Sequence, residues 1–247
     1  MNAPKLSVVI ITKNEEKNIA ACLDSVKFCD EAVVVDSGSS DRTAALAKER
    51  GARVLIRAFD DFASQKNFAM QSAAGEWVLL IDADERVTVE LGAEILAELR
   101  SPKADGYFLS RRNNIFGRWM RHGANRGDKQ LRLVKKSAAF RGAVHERIVP
   151  EGRTTTLKHP LLHFSTGSVS QYMDKLNLYT ALEVRTISEK RVKTEKPGIG
   201  KPLGLFLYRF LFQGGLADGR EGAWFSVLSA YYEFVRKAKY WERGQKT

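Results

Sequence analysis

Glu76-Trp-Val-Leu-Leu-Ile-Asp82-Ala-Asp84-Glu85 is the stretch on which the fold turns. Glu76–Ile81 is an almost unbroken apolar run, which predicts a strand buried on both faces, the kind that fills parallel sheets. It ends abruptly in three carboxylates. The pattern recurs upstream: Leu6–Thr12 runs into Asn14 and Glu15, and Glu31–Asp36 runs into the turn Ser37–Ser40. Arg53–Ile56 predicts a third strand in chain order. Helical spacing predicts helices over Glu15–Lys27, Asp41–Arg50, Asp61–Ala73 and Thr88–Leu99, with Gly75 as the C-terminal stop of the third. Strand and helix alternate four times, which predicts an α/β fold, a mostly parallel doubly wound sheet with helices on both faces. In such sheets ligands bind outside the carboxyl ends of the strands, where these acidic and polar clusters converge.

Charge divides along the chain. The 247 residues carry 40 Lys+Arg against 29 Asp+Glu, a net +11. Residues 1–100 are net −5 and residues 101–247 net +16. Two cysteines, Cys22 and Cys29, exclude a disulfide framework and a four-cysteine zinc site, and read as reduced thiols packed on helices. Neither a secretory signal nor an apolar run of about 18–20 residues is found, so a cytoplasmic location is expected.

Carboxylates at three strand ends suit ribose hydroxyls, base N–H groups and a hard divalent cation, and they would repel a bare pyrophosphate. No GxGxxG follows a strand and no GxxxxGK[ST] occurs, so the dinucleotide and P-loop readings fail. Thr12-x-Asn14-Glu15, Asp36-x-Gly38-Ser39-x-Asp41-x-Thr43, Gln65-Lys66-Asn67 and Leu80-Ile81-Asp82-Ala83-Asp84-Glu85 resemble, in order and spacing, the family 2 glycosyltransferases. The resemblance spans about residues 5–165. It implies the GT-A (nucleotide-diphospho-sugar transferase-like) fold and inverting sugar transfer. It also implies that Asp36 contacts the base, Thr12 and Glu15 the nucleoside, and Asp82 the ribose side. Asn14 and Ala83 complete the nucleotide-sugar set, and Asp84 holds Mg2+ or Mn2+. Lys66 is implied near the nucleotide; the alternative is a solvated helix face. Asp41 reads instead as a helix cap, and Thr43, in the first turn of that helix, as structural.

Inverting transfer needs a carboxylate to take the acceptor hydroxyl's proton. Glu146, in Gly142-Ala-Val-His145-Glu146, is expected as that base, by resemblance to the acceptor-side motif of a bacterial subgroup; the alternatives are a salt bridge and Asp128. His163 is either a further metal ligand or a buried hydrogen-bonded histidine.

After residue 100, short strands are expected at Gly106–Ser110, Gln130–Lys135 and Leu161–Phe164. A helix is expected over Gln171–Lys190, then a linker over Arg191–Pro202 and two aromatic-rich segments. The expected division is 1–100 for the nucleotide-sugar half, 101–167 for the acceptor half and 168–247 for a helical C-terminal extension. Residues 203–247 hold 11 of the 24 aromatics, with basic residues beside them. That composition suits helices lying on an anionic membrane; the alternative is packing on the catalytic domain or on a second subunit of a homo-oligomer. The basic stretch Arg111, Arg112, Arg118, Arg121, Arg126, Lys129 and Arg132 reads as an acceptor and membrane surface, with no nucleic-acid motif beside it.

The loop Gly214-Gly215-Leu-Ala-Asp218-Gly219 resembles the lipopolysaccharide-core subgroup, whose members add β-glucose to a heptose. This implies a hexosyltransferase moving one sugar from UDP-glucose to a lipopolysaccharide-core or related envelope acceptor at the inner membrane face. The processive Gln-x-x-Arg-Trp motif is missing. The alternatives are transfer to a polyprenyl phosphate, and a non-catalytic basic binding protein on the same scaffold.

Overall fold

The computed structural model describes residues 5–123, 127–141, 147–150, 152–186 and 198–245. Contacts divide the chain into two compact units, residues 1–111 with 127–163 and residues 112–126 with 164–247.

In the first unit, β1 (Leu6–Thr12) lies between β2 (Glu31–Asp36) and β4 (Trp77–Asp82), parallel to both. β3 (Arg53–Ile56) adds in parallel beyond β2. Beyond β4 the sheet turns antiparallel, through β8 (Lys129–Lys135) and then β6 (Gly106–Ile115). The path closes with β12 (Leu161–Thr166) and the two-residue β5 (Glu85–Arg86), which pair antiparallel. The sheet is therefore mixed, with four parallel strands forming the half that carries the acidic ends. Short β11 (Thr154–Thr156) joins β6, and β9 (Ala139–Arg141) pairs with β10 (Arg147–Val149) in a separate ribbon.

Alternation along β1 sorts its side chains between two cores. Val8 and Ile10 face one core with α1 (Ile19–Asp24), α2 (Thr43–Glu49) and α4 (Val89–Arg100). Val9 faces the other, with Val33, Val35 and Met70 of α3 (Phe62–Ser72). Both β1 faces are covered, as its unbroken β-branched run predicts, and each fully buried aliphatic side chain contributes about 1.5–3 kcal/mol.

Three helices differ from expectation for identifiable reasons. α1 starts at Ile19, four residues late, because Asn14 sits in the left-handed region (φ 54°) and its loop is tied to the turn after β2. α3 is capped by Asp61, which accepts the Ser64 N–H at 2.8 Å, and ends at Ser72 without the glycine stop. Gly75 serves a different purpose: a Cβ there would lie 2.7 Å from the Ser7 backbone nitrogen, so glycine lets the chain press against β1 as it enters β4. The expected linker over 191–202 is shorter at its end, because a helix begins at Gly200 and accommodates Pro202 in its first turn.

The second unit holds the short β7 (Arg118–Trp119), paired antiparallel with the end of β6, and is otherwise mostly helical: α5 (Val169–Thr186), α6 (Gly200–Leu207) continuing into a π turn (Tyr208–Phe212), a 3-10 turn (Leu216–Asp218), and α7 (Gly219–Gln245). The loop before α7 explains its glycines and acid. A Cβ on Gly222 would lie 2.2 Å from the Gly215 carbonyl oxygen. Asp218, 3% exposed, accepts the N–H groups of Arg121 (2.9 Å) and His122 (3.0 Å). Among the described residues, no helix is long and apolar enough to cross a membrane.

Candidate active site

Strand register brings the three sequence clusters to one edge. Thr12 of β1 pairs with Asp36 of β2, and Ile11 pairs with Asp82 of β4. The loops after β1 and β2 are stitched together: the Asn14 N–H donates to Ser39 Oγ at 2.8 Å, and Asn14 Oδ1 accepts the Ser40 N–H at 2.8 Å. The Glu15 N–H donates to Thr43 Oγ1 (2.8 Å), whose own hydroxyl donates to Asp41. Asp41 and Thr43 thus fasten the start of α2 to the loop after β1, although the N-cap position is Arg42 and not Asp41.

Asp36 is buried and folds onto its own turn, with Oδ1 accepting the N–H groups of Gly38 (2.9 Å) and Ser39 (2.7 Å). Glu15 Oε2 accepts from the Asn18 side chain at 2.7 Å. Thr12 is different: its hydroxyl is buried and has no hydrogen-bond partner among the described residues.

After β4 the carboxylates separate into distinct environments. Glu85 is fully buried; its Oε2 accepts the Asp82 N–H at 2.9 Å, and its Oε1 accepts from Arg132 Nη2 at 2.8 Å. The same Arg132 nitrogen donates to Asp82 Oδ2 at 2.7 Å. Asp82 keeps 35% of its side chain open. Burial pushes the Glu85 carboxyl above its ordinary range against the pull of Arg132. Burial also acts upward on Asp82, but Arg132 and Lys66 outweigh it and hold that carboxyl well below its ordinary value. For Arg132 burial opposes the charge, and the two carboxylates overcome it. Lys66 of α3 is half-buried, lines a cleft with Asp82 and Arg132, and lies over the Phe140 ring, 5.3 Å from its centroid.

Asp84 and His163 come together. His163 of β12 pairs in register with Glu85, and its Nε2 lies 3.6 Å from Asp84 Oδ1. Both side chains are nearly covered, at 14% and 11% exposed. Ala83 is buried, and its carbonyl accepts from Arg86 Nη1 at 2.8 Å. Among the described residues, no three His, Cys, Asp or Glu side chains gather as a complete metal site. Glu146 and His145 lie outside the described residues.

The sequence profile of the family described as Glycosyl transferase family 2 matches residues 7–177. The chain belongs to this family. It is 33% identical to the lipopolysaccharide core biosynthesis glycosyltransferase LpsC of Rhizobium meliloti, over 96% of this chain and 92% of that protein. It is 30% identical to the glycosyltransferase RT0209 of Rickettsia typhi, over 98% and 89%. Among solved structures, glucosyl-3-phosphoglycerate synthase from Mycobacterium tuberculosis, in complex with Mn2+, UDP and glucosyl-3-phosphoglycerate, is 24% identical over 45% of this chain and 44% of that chain, with a TM-score of 0.38.

In this glycosyltransferase two arginines were misassigned by sequence. Arg111 and Arg132 were expected on a basic acceptor and membrane surface, and both turn inward. Arg111 makes a bidentate pair with Asp128 (3.0 and 2.9 Å) and approaches Glu85 Oε1 at 3.5 Å. That pairing occupies Asp128, the alternative base, with a cation. The available signal was Arg132 inside the apolar strand Gln130–Lys135, where a solvated cation does not belong.

Proposed function

We propose that this family 2 glycosyltransferase is an inverting hexosyltransferase that moves one glucose from UDP-glucose onto a lipopolysaccharide-core or related envelope glycan. The observation that carries the reading is the Asp84–His163 pair at the end of β4, beside the partly open Asp82 and the unpartnered Thr12 hydroxyl. A carboxylate oxygen and an imidazole nitrogen suit Mg2+ or Mn2+, with diphosphate oxygens completing the shell. A cation held there neutralises the leaving diphosphate, in place of an acid. Thr12, Asn14, Glu15, Asp36 and Ala83 form the nucleotide-sugar pocket, Lys66 complements the phosphates, and Asp82 faces the ribose. Glu146 takes the proton from the acceptor hydroxyl as that oxygen attacks the anomeric carbon. Residues 1–100 serve the donor, 101–167 the acceptor, and 168–247 form the extension. LpsC's part in lipopolysaccharide core biosynthesis supports the acceptor class.

The deciding experiment incubates the protein with a panel of nucleotide-sugars, Mg2+ or Mn2+, and extracted lipid-linked acceptors, and reads product mass. One added hexose from UDP-glucose is expected, and Glu146→Gln is expected to lower kcat by about a hundredfold or more with UDP affinity unchanged. A product from polyprenyl phosphate alone, or a fully active Glu146→Gln, would overturn the respective assignment.

The enzyme works at the cytoplasmic face of the membrane, touching anionic lipid through α6 and the π turn. There Leu203, Leu207, Tyr208, Leu211 and Phe212 are all exposed, and Lys201 is the exposed charge, its ammonium 3.0 Å from Glu233 Oε1. An exposed apolar and aromatic face of this kind, with Lys201 at its edge, suits an anionic bilayer surface. The protein is expected to float with vesicles containing anionic lipid and to be released by salt; no flotation would refute the membrane contact.

A further inference from the structure

α7 is inside out. Its covered face carries Gly222, Ser226, Ser229 and Glu233 with a single aromatic, Tyr240, and Arg236 pairs there with Glu233 and approaches Glu183 of α5. Its exposed face carries Trp224, Val227, Tyr231, Phe234 and Trp241, each 43–59% open, and every exposed position between Glu221 and Glu242 is apolar. A water-facing helix shows the reverse arrangement.

The spacing of these residues is informative. With the half-covered Ala238 included, the steps from 224 are three, four, three, four, three. This is the narrow two-per-seven seam by which one helix packs against another, not the wide apolar face of a helix lying in a bilayer. The seam also reads the same from both ends about a centre between Tyr231 and Phe234. Opposed antiparallel to itself, Trp224 meets Trp241, Val227 meets Ala238, and Tyr231 meets Phe234. Each layer then combines one residue of each heptad register, which is the requirement of an antiparallel pair. A parallel pair would instead set Ala238 against Ala238 and leave a gap between aromatic layers.

We propose that α7 pairs antiparallel with α7 of a second copy of this chain, along Trp224, Val227, Tyr231, Phe234, Ala238 and Trp241, with the twofold axis crossing between Tyr231 and Phe234. The contact is isologous, so it closes at a dimer. Seam length and area suffice. From Trp224 to Trp241 the helix spans about 26 Å at 1.5 Å per residue. About half of each large side chain is open, roughly 100 Å2 apiece, so two copies cover about 900 Å2 from the seam alone. The flanking, half-covered Leu228, Ala230 and Val235 bring the total to the roughly 1,000 Å2 expected of a specific interface.

Sedimentation and light scattering of the full chain are expected to give twice 27.7 kDa at micromolar concentration. Phe234→Glu places a charge on the axis and is expected to give a monomer. Its far-UV spectrum should match that of a second exposed variant, Leu203→Glu, which stays dimeric, and its melting temperature should lose the concentration dependence that the dimer shows. Mixing single variants Val227→Cys and Ala238→Cys with copper phenanthroline as oxidant should give mixed cross-linked dimers above the yield of either alone. A monomer at all concentrations, a Phe234→Glu dimer, or preferred 227–227 and 238–238 cross-links would overturn the proposal. So would flotation on anionic vesicles that Phe234→Glu abolishes in a chain that is monomeric throughout, because the seam would then be a lipid contact. None of these readouts depends on sugar transfer, so failure here leaves the proposed reaction standing.

Discussion

Replacing Asp84 with asparagine is expected to reduce sugar transfer by about a thousandfold while the protein remains folded. The carboxylate faces His163 Nε2 at 3.6 Å and is 11% exposed. Asparagine keeps its shape and one acceptor oxygen but removes the negative charge that a hard dication requires. Loss of charge stabilisation at the leaving group amounts to several kcal/mol, and about 4 kcal/mol is three powers of ten in rate. On the proposed metal site, His163→Ala should weaken metal-dependent UDP binding in the same direction and by less. Calorimetric titration of UDP with and without Mn2+ or Mg2+ checks both variants. The metal assignment falls if Asp84→Asn binds UDP and metal as the unaltered protein does and transfers sugar at the normal rate.

Arg132→Met is expected to destabilise the fold by about 3 kcal/mol, because it strips the directly bonded cation from the buried Glu85 and the partly open Asp82 and leaves only the more distant Arg111 and Lys66. Glu85 has no exposed surface and cannot regain hydration in place, while Asp82 can turn partly to water. Against a total stability of about 5–15 kcal/mol, that loss is large. Pairing it with Glu85→Gln should recover part of the loss. Glutamine can still accept the Asp82 N–H now held by Glu85 at 2.9 Å, without a buried charge. Urea unfolding of the two single variants and the double variant measures the coupling between the residues. A cost under about 1 kcal/mol for Arg132→Met, or strict additivity, would mean that Asp82 and Glu85 do not depend on Arg132.

Much of the site was legible because its parts are local. An apolar run that ends in Asp82, Asp84 and Glu85 is a strand meeting a crevice, and the same reading applies to Thr12 and Asp36. Hydrogen bonds inside the turns, such as Gly38 and Ser39 to Asp36 or Thr43 to Asp41, join residues within three positions of each other. Gly75 was misread because a stop signal and a close approach use the same residue, and only the presence of Ser7 beside it separates them.

The chain by itself determined the alternation of strand and helix, the polar strand ends and the family to which they belong, since these depend on periodicity and short spacing. Tertiary structure decided which charges belong together. Arg132 lies 50 positions from Asp82, and net charge counts both without showing that they neutralise one another. It also decided that the apolar stripe of α7 faces outward. A helical pattern defines two faces, and which one is covered depends on what packs against it; here the polar face meets Glu183 of α5.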